Sequence, residues 1–464
     1  MKKQAFNPYL PSWEYIPDGE PYVFDGRIYI YGSHDYWNDF VFCMGDYICY
    51  SAPIDDLSDW RYEGVIYEKT ADPLNKDGKM CLYAPDVTKG PDGRYYLYYV
   101  LDKVPVVSVA VCDTPAGKYE FLGYVHYADG TRLGEKDTDE PQFDPGVLTE
   151  GDVTYLYTGF AGPGDKSRHG AMCTYLDKDM LTIIKEPVFV APGCEYDEGT
   201  GFEDHAFFEA PSIRKIDDTY YLIYSSEVMH ELCYATSKYP DRDFKYQGVI
   251  ISNCDLHIDS YKPADMPTAY GANNHGSIEK INDDYYIFYH RHTNNTWYSR
   301  QGCAEKLEIT DGKIKQAMMT SCGLNGGPLV GKGEYPSYIA CNMFTNTPHI
   351  YVGAEKVPRI MQDGRDGDEE IGYIVNITDS ATIGYKSFEF KDLKKIAVTA
   401  RGYANGTFEF RTKWDGEVVG SVDIEYTNVW VKYEAPVNIS DGVHDLYITY
   451  RGDGMTLLKS FELI

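Results

Sequence analysis

The chain has 464 residues, 43% of them hydrophobic, and a formal charge of -29. That length predicts two domains with sizeable cores, and the acidic excess argues against nucleic-acid backbones or anionic membranes as partners, since both demand clustered Lys and Arg. Tyrosine is the outlier, with 44 copies against 19 Phe and 6 Trp, and such β-favouring, half-polar rings point to an all-β protein facing a wet cavity.

The N-terminal MKKQAFNPYLPSW has lysines but no apolar signal-peptide core, and no apolar run approaches the ~18 residues of a membrane span. Eleven cysteines stand singly between Cys43 and Cys341, without a CxxC pair. These features predict a reduced, cytoplasmic protein. Five turn-and-strand units follow: FDGRIYIYGSHD, GPDGRYYLYYV, TEGDVTYLYTGF, IDDTYYLIYSS and INDDYYIFYHR. Each is an acidic or Gly turn running into alternating aromatic and aliphatic residues, the pattern of a hairpin's second strand. Tyr29, Tyr96, Tyr155, Tyr221 and Tyr286 are equivalent, with steps of 67, 59, 66 and 65 residues. Each step has room for one four-stranded blade, so a five-bladed β-propeller is expected over residues 1–322. The Gly-rich GLNGGPLVGKGEYP at 323–336 reads as a linker. Beyond it, GYIVNIT, KKIAVTARGY, GTFEFRTKW, VVGSVDIEY and HDLYITYRG alternate at period 2 and predict a β-sandwich of jelly-roll type over 337–464.

Ten to twelve residues before each repeat tyrosine stands one ionisable side chain: Asp18, Asp86, Asp144, Glu209 and His275. Inner propeller strands surround one axis, so equivalent positions converge there. Gathered carboxylates oppose one another's ionisation. Turn formation explains Asp18 in PDG or Asp144 in FDPG taken singly, but the repeated placement predicts a functional pocket, with metal binding as the rival use. Acetal hydrolysis needs one protonated carboxyl and one carboxylate. Glu209, between Phe208 and Ala210, is the candidate acid, its proton held further by Asp144. Asp18 in the polar PDGE is the candidate base, with Glu20 as its competitor. No GxSxG, GxxxxGK[ST], strand-following GxGxxG or HExxH motif occurs. His290 and His292 share a strand face but lack acidic ligands nearby in sequence, so zinc is not expected there.

NPYLP and PDG, then YAPDV, FDPG, FFEAPS and NHGS, occur in order, one set per blade, across about residues 5–320. In these motifs the chain resembles glycoside hydrolase family 43. The resemblance implies an inverting mechanism, with Asp18 as general base, Asp144 as the carboxylate that tunes and orients, and Glu209 as general acid. It implies a substrate-binding set of Tyr83, Asp86, His275 and Arg300, with Asp86 also readable as a supporting group; His34, beside Asp35 in GSHD at the end of the first repeat strand, reads as a substrate-binding wall of the pocket or as half of a turn pair. His275 resembles an axial histidine beneath the sugar, near a structural calcium ion held largely through water; no cofactor is implied for the chemistry. The usual PDPS segment reads PDGEP here. The implied activity is exo-acting release of α-L-arabinofuranosyl or β-D-xylosyl residues from hemicellulose-derived oligosaccharides. The alternative is a sugar-binding propeller, inactive or calcium-dependent. The C-terminal region resembles a family 6 carbohydrate-binding module, but Leu457 replaces the sugar-bonding Asn, so it is expected to brace the propeller.

Overall fold

A computed structural model describes residues 3–347, 349–365, 368 and 371–464. The repeated turns fold as antiparallel meanders, because Asp and Gly accept the tight turn while the alternating residues on either side pair and bury one face. The first meander runs Glu20–Phe24, Arg27–Tyr31, Tyr47–Pro53 and Arg61–Tyr67; the next three, also four-stranded, begin at Asp86–Lys89, Gly146–Glu150 and Phe207–Ile216. The fifth has three strands, Ser277–Ile281, Asp284–Arg291 and Gln301–Lys306. Its outer edge is met by the N-terminal segment. Tyr9 N–H donates to Gly302 O at 3.2 Å, and the Asn7 amide bonds Ala304 in both directions at 2.8 and 2.9 Å. The N-terminal segment thus takes the place of a fourth strand at the edge of the fifth blade and ties the first blade to it. Neighbouring blades share aromatic-aliphatic cores; Tyr96, Tyr98 and Val109 of the second pack with Val147, Leu156 and Leu176 of the third.

All five repeats are second strands, as expected, and their pairing fixes the register of the inner strands. Tyr29 faces Tyr22, Tyr96 faces Thr88, Tyr155 faces Leu148, Tyr221 faces Arg214 and Tyr286 faces Glu279. Asp18, Asp144 and His275 stand four residues before those partners, and Glu209 stands five before because a bulge interrupts pairing between Glu209 and Ser212. Asp86 stands only two before, level with Glu20, Ser212 and Ser277, and Ala84 holds the upper place in its blade. The expected equivalence of five ionisable positions therefore fails at Asp86. A step of two residues is about 7 Å along a strand, enough to sink a side chain from the mouth of the channel into its wall.

Among the described residues the C-terminal region, from Leu329 to Leu463, forms one curled sheet of ten strands. Its two long strands, Lys395–Arg411 and Gly442–Leu463, pair along most of their length and wrap a core that includes Ile383, Phe388, Phe408 and Phe461. The stretch expected as a linker contributes two short strands: Leu329–Val330 pairs in parallel with Thr382–Phe390, and Gly333–Pro336 pairs with Gly442–Leu463. Leu329 and Tyr335 are buried in that core, and this apolar anchoring overrides the turn-forming glycines between them. Among the described residues no helix is long and apolar enough to cross a membrane.

Candidate active site

Six of the eight residues singled out in the sequence, Asp18, Tyr83, Asp144, Glu209, His275 and Arg300, line one cavity of about 270 Å³ at the mouth of the propeller axis. Asp18 and Asp144 are left-handed, at φ 57° and 43°, in the turns just before their inner strands. Ala210, at φ 61°, follows Glu209 within the bulge. Such conformations are costly for most non-glycine residues, and here they sit at the three carboxyls.

On one side, Arg300 Nη1 lies 2.9 Å from Asp18 Oδ1. Asp35, completely buried, holds the same guanidinium through Nε at 2.8 Å and Nη2 at 3.1 Å. The ring of His290 lies behind the base. Its Nδ1 is 3.2 Å from Asp18 Oδ1, and its Nε2 is 2.8 Å from the Asn273 carbonyl. That carbonyl can only accept, so Nε2 carries the hydrogen and Nδ1 receives the Asp18 backbone N–H at 3.3 Å. Burial favours a protonated Asp18, but the Arg300 guanidinium outweighs it and holds the carboxyl well below the usual range.

The other side is a chain of rings. Tyr83, Phe143, Phe160 and Phe208 follow one another with centroid separations of 5.5, 5.2 and 5.1 Å. Burial pushes Glu209 well above the ordinary glutamate value, and the nearby Asp144 adds to it. Burial also pushes Asp144 up to about 7, with Asp18 raising it and His275 opposing. His275 lies between Glu20 and Asp144, 3.7 Å from each. Burial disfavours its charge, but the surrounding carboxylates push it up to about 9. The cavity thus holds an ionised carboxyl, two protonatable ones and a cationic imidazole.

His34 and Asp86 lie outside the cavity lining. His34 bonds Glu14 Oε1 and the Asp46 carbonyl, each at 3.1 Å. Asp86 accepts from Tyr22 Oη and from the Val147 N–H, both at 2.7 Å, and burial with the nearby Glu20 pushes it up to about 8. Glu20 pairs with Arg214 at 2.7 Å and accepts from Ser212 at 3.0 Å; it belongs to the channel wall below the base. His290 and His292 both bond Asn273, the second through Nε2 to Oδ1 at 3.1 Å, as hydrogen-bonding groups of the base side. Sequence reasoning missed Phe42, Phe160, Met229, Asn273 and Trp297 in the lining. Their only sequence signal is proximity to the named residues, such as Trp297 three before Arg300.

The family model for glycosyl hydrolases family 43 matches residues 16–314. A xylosidase/arabinosidase of Thermoclostridium stercorarium is 66% identical over 470 residues, covering 100% of this chain and 99% of that protein. A xylosidase/arabinosidase of Bacteroides ovatus is 27% identical, over 66% of this chain and 96% of its own. Among solved structures, a family 43 arabinoxylan arabinofuranohydrolase from Bacillus subtilis, in complex with cellotetraose, is similar with a TM-score of 0.53 at 20% identity, over 98% of this chain and 97% of the other. A family 43 β-xylosidase/α-arabinofuranosidase from a compost metagenome, with xylotriose and free of calcium, has a TM-score of 0.52 at 24% identity, over 68% and 98%. With the carboxyl cluster at the propeller mouth and a match that spans the blades, the chain belongs to glycosyl hydrolase family 43.

Proposed function

We propose that this protein is an inverting, exo-acting glycosidase that releases α-L-arabinofuranosyl and β-D-xylosyl residues from hemicellulose-derived oligosaccharides. The observation that carries the reading is one cavity in which Asp18 lies 2.9 Å from the Arg300 guanidinium while Glu209 lies buried with Phe208 and Asp144, surroundings that push the two carboxyls in opposite directions. Glu209 gives its proton to the glycosidic oxygen as the bond to the anomeric carbon breaks. Asp18 takes a proton from a water whose oxygen attacks the opposite face of that carbon. One water is consumed, and the two carboxyls exchange proton states until solvent restores them. Asp144 keeps the acid protonated, Arg300 keeps the base ionised, and cationic His275 offsets the negative charge on the cavity floor. The 270 Å³ volume is near the lower bound of ligand pockets, which suits a terminal sugar held among Tyr83, Phe42 and Trp297. The named activity of the 66% identical relative supports the sugar class.

The test is hydrolysis of 4-nitrophenyl α-L-arabinofuranoside and β-D-xylopyranoside, with NMR of the first-formed anomer. The inverted sugar is expected from both. A retained anomer overturns the mechanism, and a folded protein that turns over neither favours the binding-propeller reading.

A structural calcium near His275 is part of the proposal. Glu20 Oε1 is buried without a hydrogen-bond partner, and its 3.7 Å separation from His275 is too long for one. Calcium takes oxygen ligands, and an ion there would supply fixed positive charge beneath the sugar. Chelation should lower Tm and activity together; no change in either removes the ion from the reading.

For the C-terminal sheet, the proposed role is that of a module like family 6 carbohydrate-binding modules which braces the propeller. Arg291, in the fifth blade, donates to the carbonyls of Ala340 and Cys341 at 3.2 and 3.0 Å. The Ile360 N–H donates to Thr293 O at 2.9 Å, and Asn295 Nδ2 donates to Ala354 O at 2.7 Å. These bonds grip the segment that ends in Trp297 and Arg300. Eleven unpaired cysteines support a reducing, cytoplasmic setting.

A further inference from the structure

The fourth blade holds a cluster of chemistry-bearing side chains that hydrolysis does not use. Glu231 and Cys233 are two apart on the strand Glu231–Ser237 and share a face. His205 reaches them from the loop before the strand that carries Glu209. His205 Nδ1 is 2.6 Å from Glu231 Oε1, Cys233 Sγ is 3.3 Å from the same oxygen, and Sγ and Nδ1 are 4.0 Å apart. One nitrogen, one oxygen and one sulfur donor thus face a single point, all within 4.8 Å of one another.

We propose that His205, Glu231 and Cys233 form a zinc site, separate from the sugar cavity, which ties the loop leading to Glu209 to the third strand of its blade. Tetrahedral zinc, with bonds of ~2.0–2.3 Å, sets its ligand atoms roughly 3.3–3.8 Å apart. The two separations from sulfur already approach that range. The third, a proton-bridged N–H···O contact, widens when the proton leaves. Mixed nitrogen and sulfur donors select zinc over calcium or magnesium, which take oxygen.

The surroundings hold the donors in place. Ser226 Oγ donates to Glu231 Oε1 at 2.6 Å, and Tyr246 stacks on His205 at 4.9 Å with an interplanar angle of 11°. Glu231 and Cys233 side chains are buried, whereas that of His205 is 31% exposed, so the cluster lies within reach of solvent along the imidazole. Zinc takes thiolate rather than thiol, so its entry displaces the proton of Cys233.

The experiment titrates the metal-stripped full-length protein with cobalt(II) chloride and then zinc chloride. One equivalent of cobalt should produce a thiolate-to-cobalt charge-transfer band in the near ultraviolet, which zinc then bleaches. Zinc should release protons and raise Tm as its concentration rises. Cys233→Ser should abolish the band, and Ser226→Ala should weaken zinc binding by about tenfold. No band, or one that survives Cys233→Ser because another cysteine supplies the sulfur, overturns the site. If Cys233→Ser does not fold, the partly exposed His205 decides: unchanged zinc affinity in His205→Gln leaves the cluster an ordinary buried ion pair.

Discussion

On one wall of the cavity Asp18 is held ionised by Arg300; on the other, Glu209 sits beside a chain of aromatic rings and is pushed toward its protonated form by burial and by the nearby Asp144. All three are carboxyls buried at the entrances to inner strands, so burial itself does not distinguish them. The neighbours do. A guanidinium at 2.9 Å repays the desolvation of one carboxylate, while Phe208 and a second carboxyl deepen it for the other. A fold can thus generate an acid and a base from the same functional group, provided the two are walled differently.

Removing the base breaks that contrast most severely. Asp18→Asn should lose about 10⁴-fold in kcat on every glycoside, because no leaving group compensates for a missing base. Parallel assays of a nitrophenyl glycoside and a natural disaccharide check this; high activity in Asp18→Asn with a dead Glu20→Gln would move the base to Glu20. Glu209→Gln should lose about 10²–10⁴-fold on natural disaccharides but much less on nitrophenyl glycosides, whose leaving group needs little protonation. Equal losses on both would remove Glu209 from the acid role.

The charges that tune each wall come next. Arg300→Met should let Asp18 rise toward ordinary carboxylate values and move the acid limb of kcat/KM up by about 1–3 pH units. Asp144→Asn removes a charge that raises Glu209, so the alkaline limb should move to lower pH by about one unit. A pH–rate profile for each variant reads both effects, and an unmoved limb would uncouple the pair.

The smallest effect belongs to the channel wall. Asp86→Asn should change kcat less than about threefold, since Asp86 does not line the cavity. Its signature is in stability. The folded protein holds the Asp86 proton more tightly than the unfolded chain, up to about 8. Its contribution is therefore complete below the ordinary aspartate value and is lost as pH rises through about 8. Asp18 has the opposite sign: its contribution is present above that value and is lost on acidification. In Asp86→Asn the decline of Tm between pH 4 and 8 should be shallower; an unchanged slope would place that proton uptake on other groups.

The five hairpins, their spacing, the all-β class and the three carboxyls were legible in the sequence, because strand alternation and turn chemistry are local and repeat with the blades. The acid's environment was partly legible too, since Phe207 and Phe208 adjoin Glu209. The level of each side chain along the axis was not legible. Asp86 differs from Asp18 by one residue in its offset from the repeat tyrosine, yet cross-strand register puts it two residues deeper, beside Glu20. Nor did local pattern reveal that Gly-rich 323–336 supplies sheet strands, that Asp35 orients Arg300, or that His290 stands behind the base. Those contacts join positions more than 250 residues apart or strands paired across a curled sheet. Periodicity decides which faces of a strand are buried, but only the closing of the ring and the packing of distant segments decide which charges meet and which keep their protons.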